Sequence, residues 1–406
     1  MARPDKRPLA DQPLFILLLG GLSALTALSI DIMLPATGVI AEDLGAASEA
    51  GALLVGVYLL AYGAGQLFWG LFSDAYGRKP ALVISLVGFL VVSVLCTLAT
   101  DFWWLVALRG LQGLMGGAPV MARAIARDIG QGAAAARLFA VLMAVTSVAP
   151  LLAPIIGAAL IELFGWRACF AFLALMAVAL TVLTLRMITE TVPSRRPERF
   201  SARFVATATR GLFAHRRFKA GLLISGLTFA GYASNLSLGA VVVEQAYGLG
   251  PASFAAIFAF GAAFVVAGSL AVRVVLNHRS LDWMIAAMIV VLGAAVLVNG
   301  AMWFATPPLP LFWGAVCLYF AAFGLGLPIL QALAMEPARD IAGFASSILG
   351  AALMAFGGLG AALAMALYDG SHRAISGSMA LCGLAAILCY VYYRPRSKPE
   401  EEERRA

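Results

Sequence analysis

Long apolar stretches recur along almost the whole sequence, and they limit its possible folds more than any other feature. A helix of about 20 residues is needed to cross a hydrocarbon core about 30 Å thick, because a helix rises about 1.5 Å per residue. Twelve stretches are long enough. They predict membrane-spanning helices at 14–38, 51–72, 81–100, 103–124, 138–162, 168–187, 220–243, 252–275, 283–304, 310–334, 342–368 and 374–393.

The composition explains why these stretches need a bilayer. Hydrophobic residues make up 62% and charged residues 12% of the chain, whereas soluble domains hold about 45–50% and about 25%. A chain with so few polar residues cannot cover enough of its surface with polar groups to remain soluble. We therefore predict an all-α integral membrane protein of the inner membrane, and neither a soluble enzyme nor a nucleic-acid-binding domain, although the net charge is +7.

The basic residues lie in short clusters between alternate apolar stretches. Of the 28 Lys and Arg residues, all except Arg109, Arg167 and Arg373 fall on the side of the N-terminus. Positively charged loops remain in the cytoplasm. The distribution predicts that both termini are cytoplasmic.

One long basic segment separates six stretches from the next six, and it contains Pro193 and Pro197. Such a composition is typical of a linker between two membrane halves. The predicted division is a cytoplasmic N-terminus at 1–13, a six-helix half at 14–187, a linker at 188–219, a second six-helix half at 220–393 and a cytoplasmic tail at 394–406.

Asp31 is an acid within the first apolar stretch, in the sequence Leu-Ser-Ile-Asp-Ile-Met-Leu-Pro. A carboxylate at this depth costs about 2.5–3.5 kcal/mol, so it should face the bundle interior or water. It could carry a proton or contact substrate, or it could bond to backbone freed by Pro35. Arg109 lies at a similar depth, so the two could pair. Alternatively, the Arg109 side chain makes no pair and extends to the membrane–water interface on the outer side.

Other polar residues lie within the apolar stretches. Tyr58, Tyr62 and Gln66 follow each other at i, i+4 and i+8 and so share one helix face, and Asn235 and Ser237 lie in the seventh stretch. These residues could line a substrate cavity or join helices by hydrogen bonds. Both alternatives remain open.

The sequence offers no pattern for a cofactor. The three histidines lie in or beside loops, and no Cys-x-x-Cys pair occurs. There is no Gly-x-x-x-x-Gly-Lys-Ser/Thr loop to bind nucleotide phosphates. We expect no metal, no cofactor and no ATP hydrolysis within this chain.

The loop after the second stretch reads Gly70-x-x-x-Asp74-x-x-Gly77-Arg78-Lys79. It resembles the signature loop of the major facilitator superfamily, a family of transporters with twelve helices in two six-helix halves. The resemblance implies that this loop serves as a cytoplasmic gate.

Two further motifs extend the resemblance to the Bcr/CflA-type drug/proton antiporters. Arg109-Gly-Leu-Gln112-Gly113 resembles a signature whose arginine takes part in proton coupling, and we place Gln112 among the cavity residues. The fifth stretch resembles the antiporter motif, with Ala149 where glycine is common. Its Pro150, Pro154 and Gly157 could form a moving hinge or a static kink; the sequence leaves both open.

The resemblance implies proton-coupled export of small organic molecules by a monomer, with Asp31 and Arg109 in proton coupling. Related proteins import copper through Met and His motifs, but this chain has Ala233 with Ser237, and Gly261 with Val265, at comparable places. Copper is therefore disfavoured. Import of a vitamin-like solute such as riboflavin remains an alternative, and a membrane scaffold or sensor without transport is a third.

Overall fold

The computed structural model describes residues 12–129, 132–192, 195–275 and 278–393, and it is helical almost throughout. Twelve helices within these ranges are long and apolar enough to cross a membrane. We number them as spans 1 to 12: Pro13–Asp43, Ser48–Tyr76, Arg78–Thr97, Phe102–Ile129, Leu138–Phe164, Arg167–Met187, Arg216–Tyr247, Pro251–Val275, Leu281–Met302, Leu309–Ala338, Ala342–Ala366 and Arg373–Tyr393.

The predicted fold class and number of spans are confirmed. Several helices are longer than the apolar stretches that predicted them. Span 1 was expected to end at Gly38 but continues to Asp43, and span 7 begins at Arg216, before the predicted linker ends at 219. The additional turns end in charged residues, Glu42 and Asp43 in span 1 and Arg216 and Arg217 in span 7.

The apolar core follows the division into two six-helix halves. One cluster joins spans 1, 3, 4 and 6 of the first half around Phe89 and Phe170. A second cluster joins spans 7, 8, 10 and 12 around Phe258 and Phe320, and it also includes Tyr58 of span 2. Span 2 therefore lies at the seam between the halves, where it packs along span 11.

Two ends of the bundle are distinguished by their charged residues. We call the end that carries Arg78 the basic end, and the end that carries Asp43 the opposite end. At the opposite end the halves are in contact, since Gly38 of span 1 packs against Val241 of span 7. The segments 1–11 and 394–406, which hold nearly all of the predicted terminal regions, lie outside the described residues.

The linker contains one helix, Ala202–Ala214, at the basic end. Leu212 of this linker helix is buried in a cluster with Phe218 of span 7. Phe204 packs edge-on against Phe344 of span 11, at 5.4 Å between ring centroids. The linker helix is thereby fixed to the second half.

Span 1 is interrupted next to Asp31. Its first helix ends at Asp31, a short 3₁₀ turn covers Leu34–Ala36, and a second helix follows over Thr37–Asp43. Pro35 lacks an N–H group and so cannot continue the hydrogen-bond ladder. Gly157 of span 5 packs on this break so closely that a Cβ there would lie 1.8 Å from the carbonyl oxygen of Ile32.

Candidate functional site

The Asp31 carboxylate lies at the break in span 1 and is only 5% exposed. It makes no hydrogen bond or ion pair with any residue that the structure describes. Tyr232 of span 7 lies within electrostatic range of it. Asp31 is therefore a buried acid that has no partner among the described residues and lies near the second half of the molecule.

Arg109 is completely buried within the first half. Its guanidinium donates to the Ser29 hydroxyl and the Ser29 carbonyl oxygen, each at 3.2 Å, and to the carbonyl oxygen of Leu54 at 3.2 Å. Its Cζ lies 4.1 Å from the centroid of the Tyr58 ring. The charge pair with Asp31 that their depths allowed is not formed, because the donors of Arg109 bind other groups.

Gln112 completes this network instead of lining the seam. Its side-chain oxygen accepts from Arg109 at 2.5 Å, and its amide donates to the Ser93 hydroxyl of span 3 at 2.8 Å. Ser93 donates in turn to the carbonyl oxygen of Phe89. We therefore correct the placement of Gln112 in the substrate cavity: it orients Arg109 from within the first half.

The other predicted residues of span 2 do lie at the seam. Tyr58 and Tyr62 are buried, with ring centroids 6.1 Å apart, in the cluster that joins the two halves. Gln66, one turn further, lies against span 11, since a Cβ on Gly350 would be 2.3 Å from its side-chain oxygen. The Tyr58 hydroxyl has no hydrogen-bond partner among the described residues.

Span 7 supplies the facing wall. Asn235 is fully buried, and neither its side-chain oxygen nor its nitrogen has a partner in the described part of the chain. The Ser237 hydroxyl donates to the carbonyl oxygen of Ser234 within its own helix. Tyr232, one turn before Asn235, stacks against Phe323 at 4.8 Å. Asn235 is thus a buried span-7 side chain whose hydrogen-bonding groups are unused by the described residues.

The signature loop forms a compact network at the basic end. Arg78 is almost buried, pairs with Asp74, and donates to Asp128 of span 4 at 3.1 Å and to the Ser73 hydroxyl at 2.8 Å. Gly77 has a φ of +113°, a conformation that side chains rarely allow. Spans 2, 3 and 4 are therefore tied together by one guanidinium.

The first residues of the linker join this network. Glu190 accepts a hydrogen bond from the backbone N–H of Arg78 at 2.9 Å and others from Thr191 and Val192. Burial by itself raises the pKa of the Glu190 carboxyl. The hydrogen bonds from backbone N–H groups outweigh burial and hold the pKa below its ordinary value. Lys79 donates to the carbonyl oxygen of Leu185 in span 6.

Sequence reasoning missed Asp128, Glu190 and Ser29. Asp128 offers one signal, since an acid among the arginines at the end of span 4 departs from the charge pattern of that side. Ser29 and Glu190 are separated from their arginine partners by 80 and 112 residues. No local pattern identifies partners that far apart. No group of three His, Cys, Asp or Glu side chains that could hold a metal occurs in the described ranges.

Comparison with known proteins supports the fold described above. The family model of the Major Facilitator Superfamily matches residues 19–359. Multidrug resistance protein D of Escherichia coli is 28% identical over 93% of this chain and 94% of its own, and a bicyclomycin resistance protein homolog of Haemophilus influenzae is 25% identical over 95% and 97%. A bacterial homolog of the lysosomal transporter Spinster, solved facing inward, superposes with a TM-score of 0.72 at 14% identity, covering 93% of this chain and 95% of its own.

Proposed function

This chain belongs to the Major Facilitator Superfamily and is a multi-pass transporter of the inner membrane, and from this premise we propose that it exports small organic compounds in exchange for protons. The observation that carries the proposal is Asp31, a buried acid without a partner at a break in a membrane helix. Relatives named for multidrug and bicyclomycin resistance support drug-like compounds as cargo.

In this proposal Asp31 holds the transported proton. A carboxyl group without a neighbouring cation prefers its neutral form in an apolar setting, and it ionises when water reaches it. Opening the seam on one side or the other changes the hydration of Asp31. Arg109 acts as a positioning residue, because it binds the Ser29 carbonyl oxygen two residues before Asp31 and so fixes the end of the first helix of span 1.

Alternating access supplies the coupling. The halves rock about the seam formed by spans 2 and 11, and substrate binds between Tyr62 on one side and Asn235 on the other. The network around Arg78 keeps spans 2, 3 and 4 rigid during this motion. Pro150 and Pro154 allow span 5 to bend while Gly157 remains seated on the break in span 1.

The basic end faces the cytoplasm in this proposal, because positive residues are retained there. Both termini are then cytoplasmic. The protein acts as a monomer in the bilayer, since each half supplies one wall of the site.

Accumulation assays in cells that express the protein test the proposed function. The panel holds dyes, antibiotics and riboflavin, each measured with the proton gradient intact and after its collapse. Export predicts lower accumulation that is restored when the gradient is collapsed. Raised accumulation of riboflavin would replace export with import, and unchanged accumulation of every compound in a well-expressed strain would contradict transport.

A further inference from the structure

Two arginines of span 4 point into the seam at the basic end, and the site described above does not use them. Arg123 and Arg127 are one turn apart on the helix Ala118–Ile129, and both are exposed. Arg123 lies within electrostatic range of Tyr62. Arg127 reaches across to span 11, since a Cβ on Gly343 would lie 3.8 Å from its Nη2 atom. We call the part of the seam lined by these four residues the vestibule.

Neither arginine has an anionic partner in the part of the chain that the structure describes. Arg123 and Arg127 make no ion pair and no side-chain hydrogen bond with the described residues. The nearby acid on the same helix, Asp128, contacts Arg78 instead. At the same end of the second half, Glu336 contacts Arg217. The described wall of the vestibule therefore presents two uncompensated positive charges.

Among the described residues, no acidic side chain balances these two charges. Like charges four residues apart on one helix face repel each other. Orientation in the membrane does not require them to face the seam, because arginines that only orient a protein can lie on its lipid-facing surface beside headgroups. Two guanidinium groups one turn apart match a carboxylate, phosphate or sulfonate, since each of these anions offers two oxygens that accept a pair of parallel N–H bonds.

We infer that the vestibule captures organic anions, so that the transported compounds include a class with an apolar body and at least one acidic group. The acidic group binds Arg123 and Arg127, and the body lies toward Tyr62 and the aromatic wall of span 7. This inference names the substrate class of the proposed transport site and rests on the proposed function. Both arginines are exposed at the basic end, so anions reach them from the side that carries the signature loop.

The test compares two dyes that share one ring system and carry opposite charge. Fluorescein is an anion and rhodamine 6G a cation at neutral pH. Fluorescence polarisation of each dye is titrated with the purified protein in nanodiscs of zwitterionic lipid. We expect the wild-type protein to bind fluorescein at least tenfold more tightly than rhodamine 6G. Raising the salt concentration should weaken fluorescein binding, because the arginines are exposed and their field is screened.

The double variant Arg123→Gln/Arg127→Gln should bind fluorescein at least tenfold more weakly than the wild type does. Its affinity for rhodamine 6G should not fall. The matched control is Arg203→Gln/Arg210→Gln, which removes the same charge from exposed positions of the linker helix and should leave both affinities unchanged. Arg123→Lys/Arg127→Lys keeps the charge without the planar fork and should recover part of the loss. Unaltered melting temperature shows that each variant is folded.

Three results would overturn the inference: equal fluorescein affinity in the wild type and the Gln variant, preference of the wild type for rhodamine 6G, or binding of neither dye by a protein that transports other compounds of the panel. The proposed function is tested separately, by the accumulation of the whole panel. If the protein exports only cationic or neutral compounds, the proposed export function is supported and the inference that the vestibule binds anions is wrong.

Discussion

Gly157→Ala should disturb the break in span 1 from the outside, without touching any ionisable group. The new Cβ would lie 1.8 Å from the carbonyl oxygen of Ile32 and 2.8 Å from its carbon. A carbon atom normally lies about 3.3–3.6 Å from a carbonyl oxygen. Spans 1 and 5 must therefore separate by about 1.5 Å, and no side-chain rotation can relieve a clash with backbone.

Overpacking of this kind costs about 1–3 kcal/mol. Since 1 kcal/mol corresponds to about 2–4 °C in Tm for chains of 150–250 residues and to less for a longer chain, we expect a fall of a few degrees for this chain of 406 residues. Thermal unfolding of the detergent-solubilised protein measures it. Gradient-driven transport should fall as well, because Asp31 is attached to the displaced segment.

The matched control is Gly293→Ala in span 9. A Cβ at Gly293 meets no atom within 4 Å, so the same substitution should leave Tm and transport unchanged. Equal melting temperatures and equal transport for Gly157→Ala and the wild type would refute the tight contact between span 5 and the break.

Three further predictions concern the basic end. In the wild type, the ionised Glu190 stabilises the fold at pH values above the ordinary pKa of a glutamate, and this stabilisation is lost as the pH falls through the lowered pKa of Glu190. Glu190→Gln should remove this contribution, which hydrogen exchange at the Arg78 amide measures as a function of pH. Identical pH profiles for the wild type and the variant would contradict the prediction. Arg78→Ala should preserve insertion but slow transport severalfold, because it releases spans 2, 3 and 4 together; unchanged flux would make the loop a topological signal only. Reporter fusions after Ala214 and Ala406 should both report cytoplasm, and a periplasmic signal from either would reverse the proposed orientation.

The fold was predictable because its main determinant is local. Each apolar stretch must cross the bilayer, so length and hydropathy alone predict a span. The burial of Asp31 was predictable for the same reason, since a carboxylate within an apolar stretch cannot face lipid. Tyr58 and Tyr62 were correctly placed on one face of span 2, because helical periodicity relates i and i+4.

The partners of these residues were not predictable from one sequence. Arg109 and Asp31 lie at matching depth, but depth does not specify which way a helix is rotated, and Arg109 is turned toward Ser29 and Leu54. Gln112 follows Arg109 by three residues and so shares its direction, which explains why it lies inside the half and not at the seam. Glu190 was missed because its contact with Arg78 depends on the path of the linker.

Arg123 shows a different limitation. In the sequence its charge is accounted for by topology, as one of many basic residues on the N-terminal side. Only the structure relates it to Tyr62 and the seam. The role that we infer for Arg123 therefore has no signal of its own in the sequence.

The central claim, that Asp31 carries the coupled proton, is tested most directly by flux in proteoliposomes. A pH gradient is imposed, and uptake of a compound identified in the accumulation panel is compared between wild type and Asp31→Asn. The amide keeps the size of the side chain but cannot ionise. Exchange of labelled for unlabelled compound, without any gradient, is the control for an intact site. We predict that Asp31→Asn loses gradient-driven flux while exchange persists. Full gradient-driven flux in Asp31→Asn would contradict the account and assign the proton to another group.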